Sequence, residues 1–258
     1  MIAVPAVRPR AGVHYWWDSY REMVRYDLAS QRQWLPFLFV IQLLLSAGMA
    51  VLYGFYLPVI PPQLAAFIVT GTPALALIPI GFISVPQMIA DRKLAGTYEF
   101  TLAFPVPRMA DVLSSVTVYT AIALPGLAVA LALSAWRYDV TLHPSPMFVP
   151  AVLLTAVTAS AAGAAIGHAI GNPVITNVIS NLLVFFVLLY APIVFPAHQF
   201  PSWLAEVNRY LPFMNMATVL RSALLPGLAG DVTHAYLVLS VWAVVSLTIC
   251  YQVISRRG

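Results

Sequence analysis

Charged residues are scarce in this sequence: Asp, Glu, Lys and Arg make up 9% of its 258 residues, while 61% are hydrophobic. A soluble globular domain has roughly 25% charged residues, so this chain lacks the polar side chains to cover a water-facing surface. Most of its surface is therefore expected to face lipid. The formal net charge of +4 is small, and we expect no nucleic acid among the partners of the chain.

Cysteine and the common catalytic motifs are missing as well. Cys250 is the only cysteine, which excludes a disulfide framework and a cysteine metal site. The sequence contains no H-E-x-x-H, no G-x-S-x-G and no Walker-type phosphate loop. We therefore expect that the chain is not an enzyme and that it binds no metal or cofactor itself.

Long apolar runs are what the sequence has in abundance. Six of them reach the roughly 20 residues that a bilayer-spanning helix needs. They are Leu35–Leu57, Leu64–Val85, Val112–Trp136, Met147–Ile170, Val174–Phe195 and Ala235–Ile254. The sequence thus predicts an arm, residues 1–34, followed by a six-span transmembrane domain, residues 35–258.

None of these runs contains Asp, Glu, Lys or Arg. This absence argues against a proton- or sodium-coupled carrier, which usually needs an ionisable group within the membrane. His168 is the only histidine inside a run. It is either a proton relay or ligand or, because it lies near a helix end, a hydrogen-bonded interfacial residue, and we favour the second interpretation.

Lys and Arg are unevenly distributed between the two sides of a six-span chain. Ten belong to one side and three to the other. The ten are Arg8, Arg10, Arg21, Arg25, Arg32, Arg92, Lys93, Arg108, Arg256 and Arg257, and the three are Arg137, Arg209 and Arg221. Because basic residues concentrate in cytoplasmic segments, both termini are predicted to be cytoplasmic.

The arm before the first run has an amphipathic pattern. Trp17, Tyr20, Val24 and Leu28 recur at helical spacing and form one apolar stripe, while charged residues occupy much of the remainder. This pattern predicts a helix that lies in the membrane interface. Such a helix serves as a topological anchor, as a contact surface for a partner, or as both.

Small and polar residues mark two of the spans as packing surfaces. Gly163, Gly167 and Gly171 recur every four residues and predict a close approach of two helices within one subunit. Asn177 and Asn181 share one face of the fifth span, and Phe185 continues it. These amides, like Gln42 in the first span, either hydrogen-bond across helices, which we favour, or meet a substrate.

The stretch after the fifth span, "FPSWLAEVNRYLPFMNMATVLRSALLPG", is too polar to span a bilayer and too apolar to be a free loop. Pro201 can open a short helix in which Trp203 belongs to the apolar face, and Pro212 ends it. A second segment then runs on to Arg221. The pattern fits two re-entrant helices at about 200–225, or alternatively a helix that lies flat on the outer surface.

The stretch "ADRKLAGTYEFTLAFPVPR", residues 90–108, is a charged segment between the second and third spans. It predicts a helix that runs from Gln87, is interrupted at Gly96 and ends before Pro105, with Asp91, Arg92, Lys93 and Glu99 pointing to water. A solvated loop would explain the charges but not the order of "GTYE" and "FPVPR".

This stretch resembles the loop between spans 2 and 3 in membrane permeases of type-2 ATP-binding cassette (ABC) exporters, the group that includes drug and antibiotic exporters. That loop typically has an acidic and basic pair, Gly-Thr, an acidic residue, an apolar pair and a proline. The matching residues here are Asp91-Arg92, Gly96-Thr97, Glu99, Thr101-Leu102 and Pro105. Asp91 is a mild departure, because the family often has Glu there.

A second motif of these permeases follows the fifth span. It reads "FP", "LP" and a tryptophan, then a short helix, a proline and an arginine about nine residues on. The matching residues are Phe195-Pro196, Phe200-Pro201, Trp203, Pro212 and Arg221. The resemblance covers nearly the whole chain.

The resemblance implies an all-α integral membrane protein with six transmembrane helices and an N-terminal amphipathic interfacial helix. A cytoplasmic coupling helix would lie between spans 2 and 3, at about 87–102, and a re-entrant helical pair between spans 5 and 6. The residues implied to contact the ATPase are Gln87, Asp91, Arg92, Lys93, Gly96, Thr97, Glu99 and Leu102. Those implied for the pathway or dimer interface are Gln42, Asn177, Asn181 and Phe185.

The resemblance also implies the partners and the activity. Two permeases, identical or homologous, would pair in the cell membrane and bind two copies of a nucleotide-binding subunit, which holds the ATP and Mg²⁺. The pair would export an amphipathic substrate, as in multidrug efflux and antibiotic resistance. A lipid-linked polysaccharide exporter is the alternative within the family, and an ion-coupled carrier or intramembrane enzyme is the alternative outside it.

Overall fold

The computed structural model describes residues 12–56 and 60–257, and every regular element in these two ranges is a helix. This confirms the prediction of an all-α protein. The helices are α1 (Val13–Gln31), α2 (Leu35–Tyr56), α3 (Pro62–Pro79), α4 (Val85–Leu94), α5 (Thr97–Leu102), α6 (Arg108–Tyr138), α7 (Phe148–Ala169), α8 (Pro173–Tyr190), α9 (Ser202–Tyr210), α10 (Pro212–Leu224) and α11 (Val232–Arg257).

Five helical stretches within the described residues are long and apolar enough to cross a membrane. They are Pro62–Leu94, Arg108–Tyr138, Phe148–Ala169, Pro173–Tyr190 and Val232–Arg256. They correspond to five of the six predicted runs, so the chain is a multi-pass membrane protein. The remaining run corresponds to α2, and its last residue, Leu57, lies outside the described residues.

The helix Pro62–Leu94 is one continuous helix of 33 residues, formed by α3, a π-helical turn at Ile80–Ser84, and α4. A π turn is wider than an α turn and accommodates irregularities within a helix. Pro86 therefore lies in the first turn of α4 without ending the helix. The prediction of a separate helix starting at Gln87 was wrong: residues 87–94 continue the span, and only α5 is a separate short helix.

Glycines let this π turn pack directly on α7. A Cβ at Gly163 would overlap the backbone oxygen of Gly81, and a Cβ at Gly167 would lie 2.8 Å from the Ile89 side chain. The predicted close approach within the subunit is thus confirmed for these two glycines. The prediction was wrong for Gly171, which follows the end of α7. An added Cβ at Gly171 would have no neighbouring atom within 4 Å.

The spans differ in how much of their surface the chain itself covers. In the most apolar 18-residue stretch of Pro62–Leu94, 78% of the residues are buried. In the corresponding stretches of α8 and α11, 22% and 28% of the residues are buried. The helix formed by α3 and α4 is therefore central. The other two present most of their surface to whatever surrounds the chain.

The helix ends gather at two opposite ends of the bundle. At one, the α1 end, α1 contacts the first turns of α6, and the end of α4 contacts the end of α7. At the other, the α10 end, the backbone N–H groups of His143 and Ser145 donate to Leu224 and Ala223 of α10, at 3.1 and 2.8 Å. The short helices α9 and α10 thus lie at the end opposite to α1.

Candidate functional site

A buried ionic cluster ties three helices together at the α1 end. Asp27 of α1 is 1% exposed and accepts a hydrogen bond from the Arg92 guanidinium of α4. Its second carboxylate oxygen accepts hydrogen bonds from the hydroxyls of Ser114 and Ser115 on α6, at 2.8 and 3.1 Å. Arg92 also lies 3.8 Å from a carboxylate oxygen of Asp111. We call Asp27, Arg92, Asp111, Ser114 and Ser115 the ionic cluster.

The cluster joins α1 to the central helix in a way that an exposed ion pair cannot. The side chains of Arg92 and Asp27 are only 12% and 2% exposed, so separating them leaves a largely desolvated charge without its partner, which costs several kcal/mol. By contrast, Glu22 and Arg25 form a pair on the outer face of α1, with side chains 66% and 67% exposed. Exposed pairs of this kind are worth well under about 1 kcal/mol. The ionic cluster is therefore a strong direct link between α1, α4 and α6.

The next residue of α4 holds the end of α7. The Lys93 ammonium donates to the backbone oxygens of Gly167 and Ile170, at 2.6 and 2.7 Å. The last carbonyls of a helix lack partners within the helix and carry its partial negative charge, so a cation is favoured there. Beside it, the Tyr98 hydroxyl lies 2.9 Å from His168 Nδ1. His168 is thus a hydrogen-bonded residue at a helix end, as we favoured from the sequence.

The chain turns sharply after α4 and projects a short elbow, residues 94–104. Gly96 has φ of 70°, a left-handed conformation that only glycine adopts without strain, and it ends one helix and begins the next. Leu94 and Phe100 are each 62% exposed on the elbow, and Glu99 is exposed in the first turn of α5. The elbow thus presents apolar side chains and one carboxylate away from the bundle.

The elbow is not loose, because aromatic contacts hold it against α1. Phe104 packs on Phe100 with ring centroids 4.9 Å apart and meets Tyr26 of α1 edge-on at 6.1 Å. The Arg92 guanidinium lies 5.7 Å from the same Tyr26 ring. Tyr26 of α1 therefore lies in contact with both the elbow and the ionic cluster.

The residues predicted to contact an ATPase divide into two groups. Gln87, Asp91, Gly96, Thr97 and Glu99 are exposed, the first two on α4 and the others on the elbow. The prediction that the charges point to water was wrong for Arg92 and Lys93, since both are engaged by other helices. The side chain of Leu102 lies outside the described residues.

The second predicted region forms a helix pair at the α10 end. Pro201 precedes α9 and Pro212 opens α10, so the predicted break between the two helices lies where proline removes a donor. Trp203 is 66% exposed on α9. Arg221 of α10 is buried instead and donates to the Thr70 hydroxyl and the Ile193 backbone oxygen, at 3.1 and 2.6 Å.

The family model described as ABC-2 type transporter matches residues 22–225. The chain belongs to the ABC-2 type transporter family. The matched segment runs from α1 to the end of α10 and includes the ionic cluster, the elbow and Arg221. No curated protein matches the chain closely enough to be named as a relative.

Family membership assigns the broad role. The chain is the permease subunit of an ABC-2 transporter, a membrane component that is not catalytic itself and works with an ATP-binding subunit.

The polar residues predicted for a pathway or dimer interface lie apart in the permease. Gln42 of α2 is buried and its side-chain nitrogen donates to the Ala123 backbone oxygen at 2.7 Å, with Gly126 leaving room for it. That contact supports the packing interpretation for Gln42. Asn181 of α8 is exposed and donates to the Asn177 backbone oxygen, at 2.8 Å, and Phe185 is 63% exposed on the same face.

Sequence reasoning missed Asp27, Asp111 and the two serines. It singled out only the stripe Trp17, Tyr20, Val24 and Leu28, of which Trp17 and Leu28 are 53% and 41% exposed. The buried face of α1 consists of Ser19, Met23 and Asp27. Their spacing of four residues was visible in the sequence, but a Ser-Met-Asp series carries little apolar signal.

Proposed function

We propose that the permease belongs to an exporter that moves an amphipathic substrate, such as a drug, an antibiotic or a lipid-like molecule, out of the cell. ATP hydrolysis in the separate ATP-binding subunit would drive it. The amphipathic substrate and the outward direction rest on the resemblance to drug and antibiotic exporters. The observation that supports coupling to a separate subunit is the position of the ionic cluster directly behind an exposed elbow. A partner that displaces the elbow acts on α1, α4 and α6 at once.

In this proposal the elbow, together with the exposed end of α4, is the docking surface for the ATP-binding subunit. Leu94 and Phe100 supply apolar contact area, and Glu99 supplies a charge that selects the orientation. The ionic cluster and Lys93 then carry the displacement into the spans. A ligand-driven change needs only that the partner contacts two conformations differently, and the contacts of Arg92 connect the docking surface to α1 and α6.

The Glu99→Lys variant tests this docking surface. Because Glu99 is exposed and takes no part in the ionic cluster, the variant should fold and insert normally. We expect it to lose at least about tenfold in affinity for the ATP-binding subunit, since reversing one interface charge costs on the order of 1.4 kcal/mol or more. The measurement is co-purification of the two subunits, followed by ATPase and transport assays.

A Thr141→Lys variant is the control, because it adds a positive charge to an exposed residue near the α10 end. It should assemble like the unmodified permease. If Glu99→Lys retains wild-type assembly, hydrolysis and transport, the elbow is not the docking surface and residues 94–104 form only a solvated loop.

For the topology we propose six spans with both termini in the cytoplasm. The helix α2 has 22 residues without a charged side chain, and a helix of that length is about 33 Å long, enough to cross a bilayer core. The ten-to-three bias of Lys and Arg supports a cytoplasmic α1 end. On this topology the elbow faces the ATP-binding subunit and α10 lies in the outer leaflet as part of a re-entrant pair.

We further propose that the exposed face of α8 pairs with a second permease, identical or homologous. Lipid cannot hydrogen-bond an amide, so an exposed Asn181 within a span favours a protein neighbour or a water-filled pathway over lipid. The exposed face of α11 differs, because Leu237, Val241 and Val244 there are apolar and suit lipid. The complete exporter would then contain two permeases and two ATP-binding subunits.

Cysteine cross-linking tests the pairing. The sole thiol, Cys250, is buried and is removed first as Cys250→Ala. In that background we expect Asn181→Cys to cross-link two copies in membranes, whereas Val244→Cys on α11 should give no dimer band above background. Dimers through Val244→Cys but not through Asn181→Cys would place the interface on α11 and contradict the proposal.

A further inference from the structure

A large cavity lies at the α10 end, far from the ionic cluster. It has a volume of about 640 Å³ and lies between α9, α10, the segment that follows α8, and the start of α11. Its wall includes Arg221 together with apolar side chains such as Phe67, Met214 and Leu228. We call it the α10 pocket.

Arg221 is an unusual residue to find in this wall, because no described residue supplies a counter-charge to it. It is 4% exposed, and all its contacts among the described residues are with neutral groups: the Thr70 hydroxyl, the Ile193 backbone oxygen and, at 4.1 Å, the Phe67 ring. None of the carboxylates in residues 12–56 and 60–257 forms an ion pair with it. Arg92, the other buried arginine discussed above, faces two carboxylates.

A buried cation without an anion is costly, and the cost is reflected in its ionisation. Burial lowers the pKa of Arg221 to about 9, so the guanidinium remains charged at neutral pH. Its two hydrogen bonds to neutral oxygens use two of the five N–H donors. The Nη1 group makes no hydrogen bond with the described residues, although it belongs to a side chain that borders the pocket. An anion arriving there would meet unused donors and an uncompensated charge.

The other charges of the pocket are exposed and act differently. Glu206, Arg209 and Asp231 line it with solvent-accessible side chains, and Asp231 is already engaged in accepting the His234 backbone N–H at 3.0 Å. Water and salt screen such groups, so their two negative charges oppose an entering anion only weakly. The buried guanidinium, in its low-dielectric surroundings, dominates the interaction.

We propose that the α10 pocket binds the anionic headgroup, a phosphate or carboxylate, of an amphipathic molecule. The guanidinium of Arg221 presents paired N–H donors that match the oxygens of such a group. Phe67, Met214 and Leu228 provide apolar contacts for the attached hydrocarbon chain. Binding requires neither the ATP-binding subunit nor transport, so it is independent of coupling through the elbow.

The test uses the purified full chain in a neutral detergent, with dodecyl phosphate as the probe. Thermal unfolding, followed by tryptophan fluorescence, reports binding because a ligand of the folded state raises Tm in a saturable manner. We expect dodecyl phosphate to raise Tm, and inorganic phosphate, dodecanol and dodecyltrimethylammonium at equal concentrations to leave it unchanged. An equal rise with inorganic phosphate would overturn the amphipathic part of the proposal. An equal rise with dodecanol or the ammonium probe would overturn the anionic part.

The Arg221→Gln variant should raise the apparent Kd for dodecyl phosphate about ten- to a hundredfold. A change of this size corresponds to the free energy of about one or two hydrogen bonds to a charged group. Unchanged binding in this variant would overturn the proposal. Since Arg221 also anchors α10, a second variant leaves it intact. Gly230 lines the pocket and a Cβ there meets no atom within 4 Å, so the first atom of a Phe side chain has room and Gly230→Phe adds bulk at the pocket lining.

The matched control is Gly227→Phe, which adds the same side chain to the same loop outside the pocket lining. We expect Gly230→Phe to weaken dodecyl phosphate binding at least about tenfold, and Gly227→Phe to bind like the unmodified chain. Equal binding by the two variants would overturn the proposal even if Arg221→Gln failed to fold.

Discussion

The Asp27→Ala variant is expected to lose about 3–5 kcal/mol of stability, because it leaves the Arg92 charge buried without its principal partner. We expect a lower Tm for the purified permease and, in the assembled transporter, ATP hydrolysis that no longer drives transport. Asp111 compensates only in part, since its Oδ1 atom lies 3.8 Å from Arg92, beyond hydrogen-bond distance. The measurements are Tm in detergent and transport per ATP hydrolysed in liposomes.

The matched control for Asp27→Ala is Glu22→Ala on the same helix. Glu22 belongs to an exposed pair with Arg25, and its loss should cost about 0.5 kcal/mol or less. If the two variants have the same Tm and the same coupling, the ionic cluster does not join α1 to the spans. That result would remove the main support for the proposed route from the elbow.

A double variant separates stability from coupling. Replacing both Asp27 and Arg92 with leucine removes two buried charges together, and such replacements are often neutral for stability where single ones are not. We expect the double variant to be more stable than Asp27→Ala and still uncoupled, because an apolar contact lets α1 slide. Wild-type coupling in the double variant would mean that the cluster contributes only to folding.

The Gly163→Leu variant is expected to prevent correct packing of the bundle, at a cost of about 3 kcal/mol or more. The reason is steric: a side chain at Gly163 would occupy the position of the Gly81 backbone oxygen, and backbone cannot move aside as a flexible side chain can. The contact joins α7 to the π turn of the central helix. The measurement is the yield and Tm of monodisperse protein after extraction.

Gly171→Leu is the control, since Gly171 belongs to the same four-residue series but meets no neighbour within 4 Å. We expect its stability to stay within about 0.5 kcal/mol of the unmodified chain. Comparable loss in both variants would indicate that helix propensity or lipid contact, not the approach of α7 to the π turn, explains the effect.

The helices and their breaks were largely predictable from the sequence, because their causes are local. A run of apolar residues requires lipid or protein around it wherever the rest of the chain lies, so five predicted spans reappear as Pro62–Leu94, α6, α7, α8 and α11. Gly96 and Pro212 interrupt helices through their own backbone properties. The continuation of the helix through Pro86 was not predictable in this way, since the adjoining π turn accommodates the proline within the helix.

The sequence by itself determined that this chain is a helical membrane protein with a charged elbow and a proline-broken helix pair. Only the tertiary structure decided which charges leave water. Asp27 and Arg92 are 65 residues apart, and Arg221 and Thr70 are 151 residues apart, so no local pattern links them. The physical reason is that the free energy of a charge depends on its surroundings in space. A carboxylate or guanidinium looks the same in a sequence whether it is solvated, paired within the bundle, or buried beside a pocket with its charge unmatched.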